Sequence, residues 1–201
     1  MQLAPFAVTW DYLCPFARNA HEHLVTALES GAEWDVTFQP FSLMQSHVAE
    51  GEPSVWDLEE KARGVLALEA GIVVSDRYPD HFLAVHRALF AARHDHGQDI
   101  GDPAVVRRVL ESAGVDADAV FDQIDKGWPL DTLRSTHEKS VADLEVFGVP
   151  TFIVGSTAAF VRLMTRPGTD GTKARATIER VVGLLADHPE LNEFKRTTIP
   201  R

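Results

Sequence analysis

The chain has 201 residues, 45% of them hydrophobic and 24% charged, which is enough to bury a core of its own. Its formal net charge of −11 argues against a nucleic-acid partner, because phosphate binding requires clustered lysine and arginine. No apolar run approaches the roughly 20 residues of a membrane span, and the N-terminus lacks a basic segment before an apolar one. We therefore expect a cytoplasmic protein that binds neither nucleic acid nor membrane.

The cysteine and histidine content limits the metal and disulfide chemistry. Cys14 is the single cysteine, which excludes an intramolecular disulfide and a zinc site built on thiolates. The nine histidines include no H-E-x-x-H motif, and His81, His86 and the pair His94 and His96 are not spaced to share a helix face. We predict no metal site, and we interpret these histidines as surface or capping residues. His137 is predicted to pack rather than to act as a base.

The first forty residues predict a strand, a helix and a second strand. The apolar run "LAPFAVTW", 3–10, is typical of a buried strand, and Pro15 suits the first turn of a helix that ends at Gly31. "WDVTFQPF", 34–41, then alternates apolar and polar residues, as a strand does. A βαβ unit of this length predicts two parallel strands with a right-handed crossover.

Residues 54 to 146 show helical patterns and no convincing strand. Caps and apolar spacing predict five helices: Ser54 to Gly71, about Asp80 to His96, Asp102 to just before Gly114, a short one from Asp116 through Ile124, and one carrying Leu130 to Leu144. Strands return at 148–155 and 158–164 with a hairpin link at Ser156-Thr157, and an amphipathic helix over 168–188 closes the chain. This order predicts an α/β protein with a mixed four-stranded sheet, helices on its faces and a helical insertion.

Cys14 stands where a strand ends and a helix begins. Unpaired N–H groups and the helix dipole favour a thiolate there, and similar settings lower a cysteine pKa from about 8.5 to roughly 3.5–7.5. The carboxyl end of a strand is also where open α/β sheets bind ligands. We expect a reactive thiol, and the alternative is a small buried apolar residue.

The residues around Cys14 are candidates for its pocket. Tyr12 and Phe16 could stack on a flat substrate, although Trp10 belongs to the strand and should pack in the core. Asp11 could tune the thiol, by raising its pKa slightly, or cap the helix.

Two motifs together resemble the DsbA-like branch of the thioredoxin superfamily. They are "CPFA", 14–17, after the first strand, and "FGVPTFIV", 147–154, before the third. The resemblance implies a thioredoxin-like domain formed by 1–50 and 146–201, with a helical insertion domain at 51–145. Within that branch, "DYLCPFARNA", "FQPFSL" and the tail "LNEFKRT" resemble the mycothiol-dependent nitroreductase group.

The resemblance also implies roles for individual residues. Cys14 matches the nucleophile, and Pro150 matches the cis-proline that faces it, with Val149 offering backbone hydrogen bonds to a substrate. The substrate and thiol site would then comprise Asp11, Tyr12, Pro15, Phe16, Ala17, Val149 and Thr151. From the residues alone, Pro150 could equally be a trans proline at the start of a strand.

Ala17 departs from the family pattern, since a second cysteine often stands at this position. Without a resolving thiol, Cys14 would form a mixed disulfide that an external low-molecular-weight thiol resolves. The resemblance implies mycothiol as co-substrate, with glutathione or bacillithiol as alternatives, and no tightly bound cofactor. A kappa-class glutathione transferase or 2-hydroxychromene-2-carboxylate isomerase, and a redox-inactive binding module, are the rival interpretations. A homodimer through the helical insertion is compatible with each of them.

Overall fold

A computed structural model describes residues 3–58, 62–193 and 195–198. Four strands form one sheet: β1 Phe6–Trp10, β2 Val36–Pro40, β3 Thr151–Val154 and β4 Thr157–Phe160. Eight α-helices accompany them in the described residues: α1 Pro15–Glu29, α2 Leu43–Ser46, α3 Val65–Arg77, α4 Pro79–His94, α5 Pro103–Ser112, α6 Ala117–Ile124, α7 Trp128–Leu144 and α8 Gly171–Asp187. The described helices include none that is long and apolar enough to cross a membrane.

The sheet confirms the predicted topology. Its strand order is β2-β1-β3-β4, with β1 and β2 parallel and the other neighbours antiparallel. The hairpin between β3 and β4 turns at Gly155-Ser156, one residue before the predicted link, because Val154 pairs with Thr157. Helices α2 to α7 lie between β2 and β3 in the chain; α3 to α7 correspond to the predicted helical segment, whereas α2 was not predicted.

Two predicted caps are confirmed: the carboxylates of Asp102 and Asp116 accept a backbone N–H from the first turn of α5 and α6. Helix α8 begins at Gly171, three residues after the predicted start, and is capped by the carboxylate of Asp170. These bonds satisfy donors that a helix leaves unpaired at its N-terminus.

The predicted helix from Ser54 to Gly71 is wrong. A 3-10 turn, Val55–Asp57, follows Ser54, residues 59–61 lie outside the described part of the chain, and α3 begins only at Val65. Gly71 does not end that helix but lies inside it. A Cβ at this position would stand 2.6 Å from the Tyr12 hydroxyl, so glycine permits the close approach of the Tyr12 side chain to α3.

Two apolar clusters form most of the core around the sheet. Val8 and Phe152 belong to the smaller cluster, which packs against α1 and α8. The larger one joins the end of β1 and the residue Cys14 to helices α3 to α7. Cys14 therefore lies at the junction of the sheet and the helical segment.

Candidate active site

The structure brings the two sequence motifs into contact. The Cys14 Sγ lies 3.2 Å from the carbonyl oxygen of Val149, to which the thiol donates, although 135 residues separate them. The backbone N–H of Ala17 donates to the same sulfur at 3.4 Å. The Val149–Pro150 peptide bond is cis. A thiol that is 7% exposed thus lies beside a cis-proline loop.

The expected lowering of the Cys14 pKa is not what the structure gives. Cys14 is the N-cap residue of α1, in an extended conformation, and its side chain is largely buried. Burial raises the pKa of the Cys14 thiol, and the nearby Asp11 carboxylate raises it further. The backbone N–H groups of Ala17 and Phe16 lower this pKa, but their effect is smaller than that of burial. The resting form is therefore the protonated thiol, because two neutral donors do not compensate for the lost hydration.

Asp11 organises the loop beneath the thiol. Its two carboxylate oxygens accept the N–H groups of Leu13 and Leu43, each at 2.8 Å, and the residue is 1% exposed. Burial raises the Asp11 pKa to about 6, against the lowering effect of these two bonds. Asp11 therefore joins the end of β1 to the start of α2 and does not line a substrate pocket.

We expect Asp11→Asn to change how stability depends on pH. The Asp11 pKa is about 6 in the folded protein and about 3.9 in an unfolded chain, so the folded state binds more protons between these values. The free energy of unfolding that this carboxyl contributes is present below pH ~4 and falls by about 3 kcal/mol as pH rises to ~7.

Urea unfolding of wild type and Asp11→Asn at several pH values measures this effect as a difference. The buried histidines titrate in both proteins and cancel. The stability of the variant relative to wild type should increase by about 2 kcal/mol between pH 4 and pH 7. A difference that stays constant with pH would contradict the assignment.

Tyr12 is fully buried, so the prediction that it lines the substrate site is wrong. Its hydroxyl lies 2.9 Å from His86 Nδ1, His86 Nε2 lies 3.0 Å from His21 Nδ1, and His21 Nε2 lies 3.1 Å from the Thr9 carbonyl. A carbonyl only accepts, so His21 Nε2 donates to it, His86 Nε2 donates to His21, and the Tyr12 hydroxyl donates to His86. We call these three side chains the Tyr–His–His chain.

Both histidines of this chain are neutral. Burial lowers the pKa of His21 to about 4 and that of His86 well below its ordinary value. The prediction that His86 is a surface or capping residue is therefore wrong, since it is 0% exposed. Helix α4 also binds the loop through His94, whose Nε2 lies 2.9 Å from the Tyr12 carbonyl oxygen.

The other predicted site residues divide into exposed and supporting groups. Pro15 is exposed and Phe16 half-buried, so both border the entrance to the thiol. Ala17 and Val149 are buried, at 0% and 2% exposure. Thr151 is also buried; its hydroxyl donates to the Gly148 carbonyl at 2.7 Å and its N–H to Thr9 Oγ1 at 2.8 Å. Thr151 thus fixes the cis-proline loop to β1.

Three residues at the border of the site were missed from the sequence. Phe147, 72% exposed, packs its ring 5.3 Å from that of Phe160, and Arg162 places its guanidinium over Phe16. An aromatic residue directly before the "GVP" motif was the one available signal. No sequence signal indicated the contact between Phe147 and Phe160 or the position of Arg162 over Phe16.

His137 packs, as predicted. Its ring centroid lies 4.1 Å from that of Phe41, and its Nδ1 accepts the N–H of Ser42 at 3.3 Å. Burial lowers the His137 pKa to about 4. Within 3–58, 62–193 and 195–198, no group of three or more His, Cys, Asp or Glu side chains is arranged to hold a metal ion.

Comparison of the sequence with known families identifies the one to which this chain belongs. The model of the DSBA-like thioredoxin domain matches residues 8–166, and the chain belongs to this family. The chain is also 26% identical over 199 residues to the uncharacterized protein Rv2286c of Mycobacterium tuberculosis, covering 95% of this chain and 81% of that protein.

Solved structures share the fold. The cytosolic disulfide reductase DsbM of Pseudomonas aeruginosa with GSH has a TM-score of 0.62 at 18% identity, covering 89% of this chain and 98% of that one. A 2-hydroxychromene-2-carboxylate isomerase has a TM-score of 0.62 at 17% identity, covering 94% and 99%. The fold thus accommodates both oxidoreductases and an isomerase.

Proposed function

We propose that this protein is a thiol-disulfide oxidoreductase with one nucleophilic cysteine and a low-molecular-weight thiol as its resolving partner. The observation that carries the proposal is the contact between the Cys14 thiol and the Val149 carbonyl, with Ala17 in place of a second thiol. Ala17 lies in the first turn of α1, at the position where the family resemblance places the resolving cysteine. Because none is present, the second thiol must come from solution.

The cycle has two exchange steps. The Cys14 thiol loses its proton to solvent, and the thiolate attacks the disulfide of a substrate, R–S–S–R′. A bond forms between Cys14 Sγ and one substrate sulfur, the substrate disulfide breaks, and the other half leaves as a thiolate that takes up a proton. A small thiol then attacks the mixed disulfide at the substrate sulfur, which becomes a new disulfide and releases Cys14. The half R′ is released as a free thiol, and the half R leaves as a disulfide with the small thiol, whose sulfur has been oxidised.

The raised pKa of Cys14 affects the two steps differently. It lowers the fraction of thiolate at neutral pH, although each thiolate is a stronger nucleophile when its pKa is higher. It also makes Cys14 a poorer leaving group, so the second step is slowed. We therefore propose that the mixed disulfide is the long-lived state of the enzyme.

The thiol partner that we propose is mycothiol or glutathione, and the proposed location is the cytoplasm. The names of the relatives support both: DsbM is a cytosolic disulfide reductase whose structure contains GSH, and Rv2286c comes from a mycobacterium. The exposed border of the site, at Pro15 and Phe16, is where the partner would dock.

A second candidate is an isomerase or transferase that activates a bound thiol without exchanging disulfides. The similarity to the 2-hydroxychromene-2-carboxylate isomerase favours it, as does a resting thiol that donates a hydrogen bond to Val149. In that reaction Cys14 would stabilise the thiolate of the partner and would remain unmodified.

Intact-mass measurement of the protein after incubation with oxidised glutathione or oxidised mycothiol tests the first candidate. We expect one adduct, on Cys14, and a rate of formation that rises as pH increases past the ordinary thiol pKa of about 8.5. A protein that stays unmodified by either disulfide until it is denatured would exclude the proposed exchange and leave the isomerase or a binding module.

A further inference from the structure

An exposed cation lies against the first turn of α1. The Arg162 guanidinium carbon is 5.3 Å from the centroid of the Phe16 ring. Phe16 follows Cys14 by two residues, and its backbone N–H helps to lower the pKa of the thiol. The Asn19 amide donates to the Leu163 carbonyl at 2.8 Å, which holds the segment that follows β4 against α1. Arg162 is therefore positioned at the border of the thiol site.

Arg162 differs from the neighbouring arginines in its partners. Arg18 pairs with Glu22 and Asp95 and is 9% exposed, and Arg166 pairs with the same two acids. In the described part of the chain, no carboxylate pairs with Arg162. Its guanidinium instead makes a cation–π contact with the Phe16 ring. In a protein with a net charge of −11, this guanidinium is a cation that is not neutralised by a neighbouring carboxylate.

We propose that Arg162 binds a carboxylate of the resolving thiol, so that the enzyme selects a carboxylate-bearing thiol such as glutathione over an uncharged thiol glycoside such as mycothiol. This inference rests on the proposed function and narrows it. A guanidinium recognises a carboxylate through two parallel N–H bonds, and the Phe16 ring provides a cation–π contact that favours this position of the Arg162 side chain.

A thiol of tripeptide size also contacts residues around the sulfur to which it binds. An extended tripeptide spans about 10 Å, so a thiol whose sulfur contacts Cys14 extends across the first turn of α1. Arg162, whose guanidinium lies over the ring of Phe16 in that turn, is the cation that we propose for its carboxylate. Arg162 takes no part in bond making, which remains the exchange between Cys14 and the thiol.

The test compares two disulfides that share the same peptide backbone and differ in the charge of their carboxyl groups. One is oxidised glutathione, and the other is the disulfide of glutathione diethyl ester, in which the carboxylates are blocked. The measured quantity is the ratio of the second-order rate constants for the Cys14 adduct, read by intact mass at low ionic strength. We expect wild type to prefer the free acid, and Arg162→Gln to reduce that ratio about tenfold. Arg162→Lys should retain part of the preference.

Arg108→Gln is the matched control, because Arg108 is an exposed arginine of α5 and the variant has the same net charge. Its ratio should equal that of wild type. An unchanged ratio in Arg162→Gln, or an equal loss in the Arg108 control, would overturn the role of Arg162 while the adducts still support exchange at Cys14. Failure of wild type to form an adduct with either disulfide would refute the proposed function and this inference together.

Discussion

Cys14→Ser should abolish disulfide exchange, with a loss of at least ~1,000-fold, as is usual when an enzyme loses its nucleophile. The serine hydroxyl can donate to the Val149 carbonyl and accept the Ala17 N–H, so both hydrogen bonds of the thiol have a substitute. The fold should therefore be retained. The substrate for this assay is a mixed disulfide between glutathione or mycothiol and a second small thiol. The rate at which the second thiol is released measures the loss of exchange activity.

The same variant separates the two candidate enzymes. An enzyme that only activates a bound thiol could retain part of its activity with a hydroxyl at position 14, whereas exchange requires the sulfur. Substantial exchange by Cys14→Ser would therefore refute the proposed mechanism. Thermal unfolding provides the control, since a large drop in Tm would mean that the variant reports on folding rather than on chemistry.

The largest expected effect on stability comes from His86→Leu. This substitution removes the central member of the Tyr–His–His chain and leaves the Tyr12 hydroxyl and His21 Nδ1 buried without partners. Each unsatisfied group costs about 1–3 kcal/mol, so the free energy of unfolding should fall by about 2–6 kcal/mol. Urea unfolding at pH 8, where histidines are neutral in both states, measures it. Because Tyr12 is two residues from Cys14, alkylation of the thiol should also become faster.

Tyr12→Phe provides the partner for a double-mutant cycle. Removing the hydroxyl together with His86 eliminates one orphaned group, so the double variant should lose less stability than the sum of the single variants. Strict additivity would indicate that the Tyr12–His86 hydrogen bond contributes nothing to stability. His86→Gln, which has both a donor and an acceptor, should be milder than His86→Leu.

Much of the fold could be predicted from the sequence, because the relevant forces act over a few residues. Asp102 and Asp116 cap helices whose first residues follow them directly, and the alternation at 34–41 corresponds to a strand. The prediction of a helix from Ser54 to Gly71 was wrong because it relied on these local signals alone. A serine cap and apolar spacing are present, but they start only a 3-10 turn, and the close contact between Tyr12 and Gly71 was not visible in the sequence.

For the site, the sequence by itself determined which groups are present. It placed one thiol at a strand end before a proline, put an alanine where a resolving cysteine would stand, and supplied the "GVP" motif. Those facts fix monothiol chemistry as the form that any exchange must take, because a chain with one sulfhydryl cannot form its own disulfide.

Only the tertiary structure decided how those groups behave. The Cys14 pKa is raised rather than lowered because desolvation sums over every neighbour of the sulfur, including Val149 and the helical segment, whereas the sequence showed only the local helix terminus. The burial of Tyr12 against His86, and the position of Arg162 over Phe16, depend in the same way on contacts between distant segments. Local patterns specify the elements, and long-range packing sets the electrostatics of the site.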